Sequence, residues 1–212
     1  MRWLGCLVAV CGLPFSLFAQ VTTFPYAESF ENGPAGWIVS GEPSSWELGT
    51  PTDQGMPFNG DIIGASDGDN AWVTNLDGAY ADDQESSVVS PQFNFSGIQS
   101  LQMRFDIWYD SEFSSDGAYI EVSTDGGNTW EPLGEEQSIY TGFLLSFDGP
   151  AQEPRAAWTG NNALDQNGGS GGYIPVNIDL SNLDGESNVR FRFVFKAAAS
   201  FLGEENPGWL RL

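Results

Sequence analysis

Apolar positions along this chain recur at period two. In Leu101-Gln102-Met103-Arg104-Phe105-Asp106-Ile107-Trp108-Tyr109-Asp110 the odd positions are Leu, Met, Phe, Ile and Tyr, while the even ones are mostly polar or charged. Successive side chains of an extended strand point to opposite faces, so this run predicts a strand with one face in a core and the other toward solvent or a ligand. The run from Val189 to Lys196 repeats the device: Val189, Phe191, Phe193 and Phe195 alternate with Arg190, Arg192, Val194 and Lys196. Shorter strand candidates are Phe24 to Phe30, Ala71 to Leu76, Ser86 to Ser90, Ala118 to Ser123 and Ile174 to Leu180, separated by clusters of Gly, Asn, Asp, Ser and Pro. After residue 20 no stretch keeps apolar spacing at 3.6 over three turns. The pattern predicts an all-β chain of two packed antiparallel sheets. Ser138 to Gly172 contains Gly-Pro, Glu-Pro, Gly-Asn-Asn and Gly-Gly-Ser-Gly-Gly without a sustained period, and reads as one long loop excursion.

The first 19 residues differ from the rest. Arg2 supplies a basic start, Leu4 to Phe18 form an apolar stretch, and Leu17-Phe18-Ala19-Gln20 offers a small residue for cleavage. This reads as a secretory signal peptide (residues 1–19), too short an apolar stretch for a membrane span, followed by one domain over residues 20–212. The expected location is secreted, extracellular or at the cell surface. Cys6 and Cys11, the only two cysteines, both fall inside this leader, so the exported domain holds together without disulfides.

Charge and composition narrow the chemistry. The chain has 7 Lys and Arg against 29 Asp and Glu, and losing Arg2 with the leader leaves a net charge of −23. Nucleic acid and anionic membranes are therefore poor partners, and no membrane insertion is expected. There is no His, which together with the missing Cys excludes Ser-His-Asp, Cys-His and zinc-thiolate chemistry in the mature chain. The 26 Gly of 212 residues suit a turn-rich β protein.

Three constellations carry chemical readings. Ser123-Thr124-Asp125-Gly126-Gly127-Asn128-Thr129-Trp130 fits the pattern S-x-D-x-G-x-T-W, the Asp-box. In it the Asp125 carboxylate accepts turn N–H groups, Gly127 provides conformational freedom, Ser123 adds a hydroxyl and Trp130 packs against the hairpin; its role is structural. Acids including Glu28, Glu31, Asp67, Asp69, Asp110, Glu112 and Asp116 crowd loops around the β framework, which is ligand chemistry suited to Ca²⁺; Glu31, Asp69 and Asp116 are the candidate ligands of a structural calcium ion. The alternative for each is a solvated surface acid. Finally, Arg104, Arg190, Arg192 and Lys196 put four of the six mature cations on two strands, with Asp106 and Trp108 beside Arg104. Cross-strand pairing with acids explains this segregation. So does a ligand face of Arg104, Asp106, Trp108, Arg190 and Arg192, in which guanidinium forks bind a sugar edge or acidic peptide while Trp108 stacks on it. A glycosidase reading from Asp106, Asp110 and Glu112 lacks the Glu-x-Asp-x-x-Glu run of laminarinase-like sandwiches, and no catalytic residues are assigned.

Taken in order, Phe24-Pro25-Tyr26-Ala27-Glu28-Ser29-Phe30-Glu31-Asn32-Gly33 with Gly36-Trp37, Ser44 to Pro51, Ala71 to Leu76, Val89-Ser90-Pro91, Glu121 to Trp130 and Arg190 to Phe193 resemble the MAM-like jelly-roll modules of large secreted surface proteins and peptidases of the Bacteroidetes. The resemblance spans residues 24 to 209. It implies a concanavalin-like, two-sheet antiparallel jelly-roll β-sandwich, non-catalytic, used for adhesion or docking to an extracellular glycan or protein beside neighbouring domains. Two departures stand out. Animal MAM domains carry disulfides, and this chain has none. The family tends to close on Gly-Trp, an apolar residue and an acidic pair, whereas Gly208-Trp209-Leu210 runs into Arg211-Leu212. The closing strand is therefore expected to be missing, as in a C-terminally truncated module. The runner-up reading is a β-sandwich glycoside hydrolase, and a structural spacer is a third.

Overall fold

The computed structural model describes residues 20–52, 64–145, 154–160, 168–199 and 209–212. The leader lies outside these residues. Among these described residues twelve strands form two antiparallel sheets. Seven strands make the first: β1 (Ile38–Ser40), β4 (Gln84–Val89), β11 (Arg190–Ala197), β6 (Gly117–Ser123), β9 (Arg155–Thr159) and β8 (Gly142–Leu144) in that spatial order, with β7 (Glu131–Pro132) paired to β6. The second runs β10 (Ile174–Asp179), β5 (Gln102–Asp110), β12 (Trp209–Arg211), β3 (Ala71–Thr74) and β2 (Trp46–Gly49). The fold is the expected all-β, jelly-roll type sandwich. Among the described residues no helix is long and apolar enough to cross a membrane.

The core follows the alternation. Ile107 and Tyr109 of β5 face Ile120 and Val122 of β6 and Phe191, Phe193 and Phe195 of β11 in one apolar cluster. Phe105 bridges the layers, meeting the Phe193 ring edge-on at 5.0 Å and Trp158 at 5.8 Å. Such aromatic pairs add about 0.5–1.5 kcal/mol to the area they bury, which helps a core without disulfides. Trp158 donates its indole N–H to the Ile139 carbonyl at 2.8 Å, so this fully buried core tryptophan is polar-satisfied as well.

Four expectations are corrected here. Phe24 to Phe30 is not a strand: Pro25 has no N–H to donate, Phe30 takes a left-handed φ of 62°, and the Glu28 carboxylate accepts the Phe30 N–H at 2.8 Å. Its rings still pack on the core, with Tyr26 edge-on to Phe93 at 5.2 Å. Ser138 to Gly172 is not a single loop, since β8 and β9 lie within it and extend the seven-stranded sheet. The closing strand is present: β12 pairs with β5 through Trp209↔Asp110 to Arg211↔Trp108 and with β3 through Arg211↔Val73. Three residues suffice because they fill the gap between two existing strands instead of nucleating an edge. Finally, β5 and β11 belong to different sheets, so their outward faces look away from one another.

Candidate functional site

The residues expected to form one ligand face therefore divide. On β5, Arg104 is exposed and donates from Nε to the Asn177 side-chain oxygen at 2.5 Å, its register partner on β10. Asp106 accepts the Ser66 hydroxyl, and Tyr173 donates to the Gly64 carbonyl at 3.2 Å, so chain around residues 64–66 lies over this side of the sheet. Trp108 points away from the core as the alternation requires, but it is only 2% exposed. A buried indole cannot stack on a ligand from solvent, which removes Trp108 from the ligand face. Asp110 is buried as well and accepts the Gly168 N–H at 2.9 Å, where the chain ahead of β10 continues along β5 through the bridge Asp110↔Gly169. Gly169 is required there: a Cβ would collide with the Tyr109 carbonyl.

On the outward face of the seven-stranded sheet, β11 presents Arg190, Arg192, Val194 and Lys196. Arg192 and Lys196 meet acids directly opposite in register: Arg192 faces Glu121 on β6 and Lys196 faces Glu85 on β4. Both contacts are made, Arg192 forming an ion pair with Glu121 and Lys196 reaching Glu85 at 3.2 Å. Cross-strand pairing is thus the structural reason for part of the segregated charge. Arg155 of β9 joins from the other side, Nη1 to the Glu121 carboxylate at 3.1 Å, so one buried carboxylate is held between two guanidinium groups. Arg155 also lies over the Tyr119 ring at 4.7 Å, and Arg192 lies over the Trp130 ring at 4.5 Å. Sequence reasoning missed Glu121 and Arg155. Glu121 shares the outward parity of Tyr119 and Ser123; Arg155 opens a run whose two alanines blur alternation between Gly- and Pro-rich neighbours.

The Asp-box folds as its sequence predicts. Ser123 donates to Asp125 at 2.7 Å and accepts the Gly127 N–H at 2.8 Å. Asp125 accepts the N–H groups of Asn128 and Thr129, both at 2.9 Å, and the Thr129 hydroxyl at 2.7 Å. The Thr129 amide, followed by the Ser123 and Thr129 hydroxyls and the Asn128 amide, stabilises the ionised form and holds the carboxyl well below the usual carboxylate range. Gly127, at φ 102°, has Arg190 and Trp130 beneath it, so the hairpin sits over the two arginines at the end of β11.

The three calcium candidates do not converge. Glu31 accepts the backbone N–H groups of Asp69 at 2.9 Å and Asn70 at 2.7 Å, so it ties the first segment to the turn before β3, with its lone pairs turned to donors instead of a cation. Asp116 lies elsewhere, fully buried, accepting the Tyr80 hydroxyl at 2.6 Å and the Ala198 N–H at 2.8 Å. Burial pushes its carboxyl up to about 7; those two hydrogen bonds pull it down, and the charges of Glu112 and Asp82 push it up further. Among the described residues no group of three or more acids is arranged to hold a metal ion. The residues do not fit a calcium site built from Glu31, Asp69 and Asp116.

Comparison with known proteins adds the following. No protein-family profile matches the chain. A 125-residue stretch, 59% of the chain, is 32% identical to part of Bacillopeptidase F of Bacillus subtilis, but the match spans only 8% of that protein's length. Among solved structures, the K2 cleaved adhesin domain of Lys-gingipain aligns at TM-score 0.43 and 16% identity, over 88% of this chain and 95% of the other. The carbohydrate-binding module TmCBM61, solved in complex with β-1,4-galactotriose, aligns at 0.40 and 11% over 86% and 88%. The glycoside hydrolase domain of Endo-D from Streptococcus pneumoniae aligns at 0.36 and 12% over 82% and 20%.

Proposed function

We propose that this chain is a non-catalytic binding module of a secreted or surface-attached protein, docking an extracellular glycan or protein. The observation that carries the reading is the outward face of the seven-stranded sheet, where Arg155, Glu121, Arg192 and Trp130 hold one another in fixed positions within an otherwise acidic chain. Rigid strands carrying immobilised guanidinium groups form a recognition surface with little ordering left to do on binding. The acids of the glycosidase reading support the same conclusion. Asp106 is engaged by Ser66, and Asp110 is buried under the chain at 168–170, so this pair does not flank an open cleft. A match to a small stretch of a far longer peptidase supports a module working beside other domains. MAM-like membership and export belong to this proposal.

The test is a glycan-array and extracellular-protein screen of the purified mature chain, with and without calcium, run beside reducing-end assays on β-glucans. Binding without product release is the expected result. Turnover abolished by Glu112→Gln would replace this reading with the hydrolase.

A further inference from the structure

Four of the chain's seven cationic side chains, Arg155, Arg190, Arg192 and Lys196, lie on the outward face of β9 and β11. Strands β4, β6, β9 and β11 set only Glu85 and Glu121 against them on that face, within a chain of net charge −22. Along these four strands cationic side chains therefore outnumber acidic ones on that face, in a chain that is acidic as a whole. Glu121 neutralises one of the two arginines that share it, and both keep part of their surface in water, Arg155 at 34% and Arg192 at 29% side-chain exposure. One carboxylate charge between two guanidinium groups leaves the cluster with a net positive charge.

The row across this face is apolar and exposed at its two ends, while Val89 and Glu121 within it are buried. In register across the sheet run Ile38, Val89, Arg192, Glu121 and Pro132, with Ile38 44% exposed at one end and Pro132 exposed at the other. A fixed charge thus lies between two exposed apolar positions.

We infer that this face binds a linear polysaccharide bearing carboxylates, a polyuronate, with sugar carboxylates on the Arg155 and Arg192 guanidinium edges. The inference rests on the binding-module reading and names its ligand. Planar carboxylate matches the guanidinium fork, and a linear chain lying across the strands would bring the C–H faces of its flanking pyranoses to Ile38 and Pro132, each two strands, about 10 Å, from Arg192. An extended acidic peptide offers the charge without that apolar ring face. A narrow chain also lies on the patch without bringing a broad negative surface against the acidic remainder, as a folded acidic protein would.

This geometry imposes an unusual salt dependence. At about 0.01 M salt, with screening over about 30 Å, the whole negative molecule repels a polyanion; at about 0.15 M, with about 8 Å, mainly the local positive face acts; near 1 M, at about 3 Å, even that fades. Affinity should therefore pass through a maximum.

The experiment is titration calorimetry of the mature chain with polygalacturonate, its methyl ester, neutral β-1,4-galactan and poly-glutamate at these three salt concentrations. Polygalacturonate binding is expected to peak at the middle concentration and to weaken about tenfold in Arg155→Gln, read at a temperature well below that variant's own melting transition. Arg192→Lys, which keeps the charge but loses the fork, is expected to weaken it too, and Arg104→Gln on the opposite sheet to leave it unchanged. Equal binding of the methyl ester, tighter binding of poly-glutamate, or full affinity in Arg155→Gln would overturn the inference. Binding only to galactan, independent of Arg155, would overturn it while leaving the binding module standing. Failure to bind any member of this set or of the broader screen would remove both.

Discussion

The guanidinium carbon of Arg192 lies 4.5 Å from the centre of the Trp130 ring, while the same side chain is paired with Glu121. The last residue of the Asp-box motif is therefore coupled to a strand some sixty positions later, and the hairpin is locked onto the sheet by a cation–π contact. Such contacts are worth about 0.5–1 kcal/mol when partly exposed. A double-mutant cycle of Trp130→Ala and Arg192→Ala, read by urea unfolding, should return a coupling energy in that range. Arg192→Ala alone should cost more, about 1–3 kcal/mol, because it strips a charge-assisted partner from a buried carboxylate. Additive single effects would show that the two side chains are merely adjacent.

Within the hairpin itself, Asp125 accepts two backbone N–H groups and two hydroxyls, and its carboxyl titrates below the usual range. A folded-state pKa depressed below the unfolded value gives stability that is present above the unfolded pKa and lost as pH falls through the folded one. Asp125→Ala should accordingly destabilise the protein at pH 7 and much less in strong acid. Amide hydrogen exchange of Asn128 and Thr129 is the local readout, and unchanged protection there would contradict the geometry.

Trp108 supplies the sharpest contrast between pattern and packing. Its alternation is outward, yet it is 2% exposed. Trp108→Ala is expected to cost about 3–5 kcal/mol, the range for truncating a large buried aromatic. Binding of any ligand identified on the opposite sheet should survive to the extent that the protein stays folded. Lost binding at full stability would return Trp108 to a ligand face.

The long alternating runs around β5, β10 and β11 were legible because period two is a local property, set by which face each side chain takes. Sheet membership was not. Arg104 and Arg192 occupy equivalent outward positions on strands of the same pattern, and nothing local says that β5 pairs with β10 and β12 while β11 pairs with β4 and β6. The burial of Trp108 is likewise not written in the alternation of its own strand. β9 escaped notice because Ala156 and Ala157 carry little hydrophobic contrast, and β12 because three residues are too few for a period. The Asp-box hairpin was legible, since the hydrogen bonds of the Asp125 side chain all fall within a few residues of it.

Asp116 sets the pH response. Fully buried and held by Tyr80 and Ala198, it faces the negative charges of Glu112 and Asp82, and its carboxyl is pushed up to about 7. Here the folded pKa lies above the unfolded one, so the folded state binds the extra proton between about pH 4 and pH 7, and stability falls as pH rises through that window. The chain has no His, so few other side chains change charge between about pH 5.5 and pH 8. Urea unfolding should therefore show about 2 kcal/mol less stability at pH 8 than at pH 5.5, from about 1.4 kcal/mol per pH unit up to the folded pKa. Asp116→Asn keeps an oxygen for the Ala198 N–H and an amide for the Tyr80 oxygen while removing the titration, and its stability should be nearly flat across the same interval. An Asp116→Asn profile as steep as that of the parent would place the titrating group elsewhere.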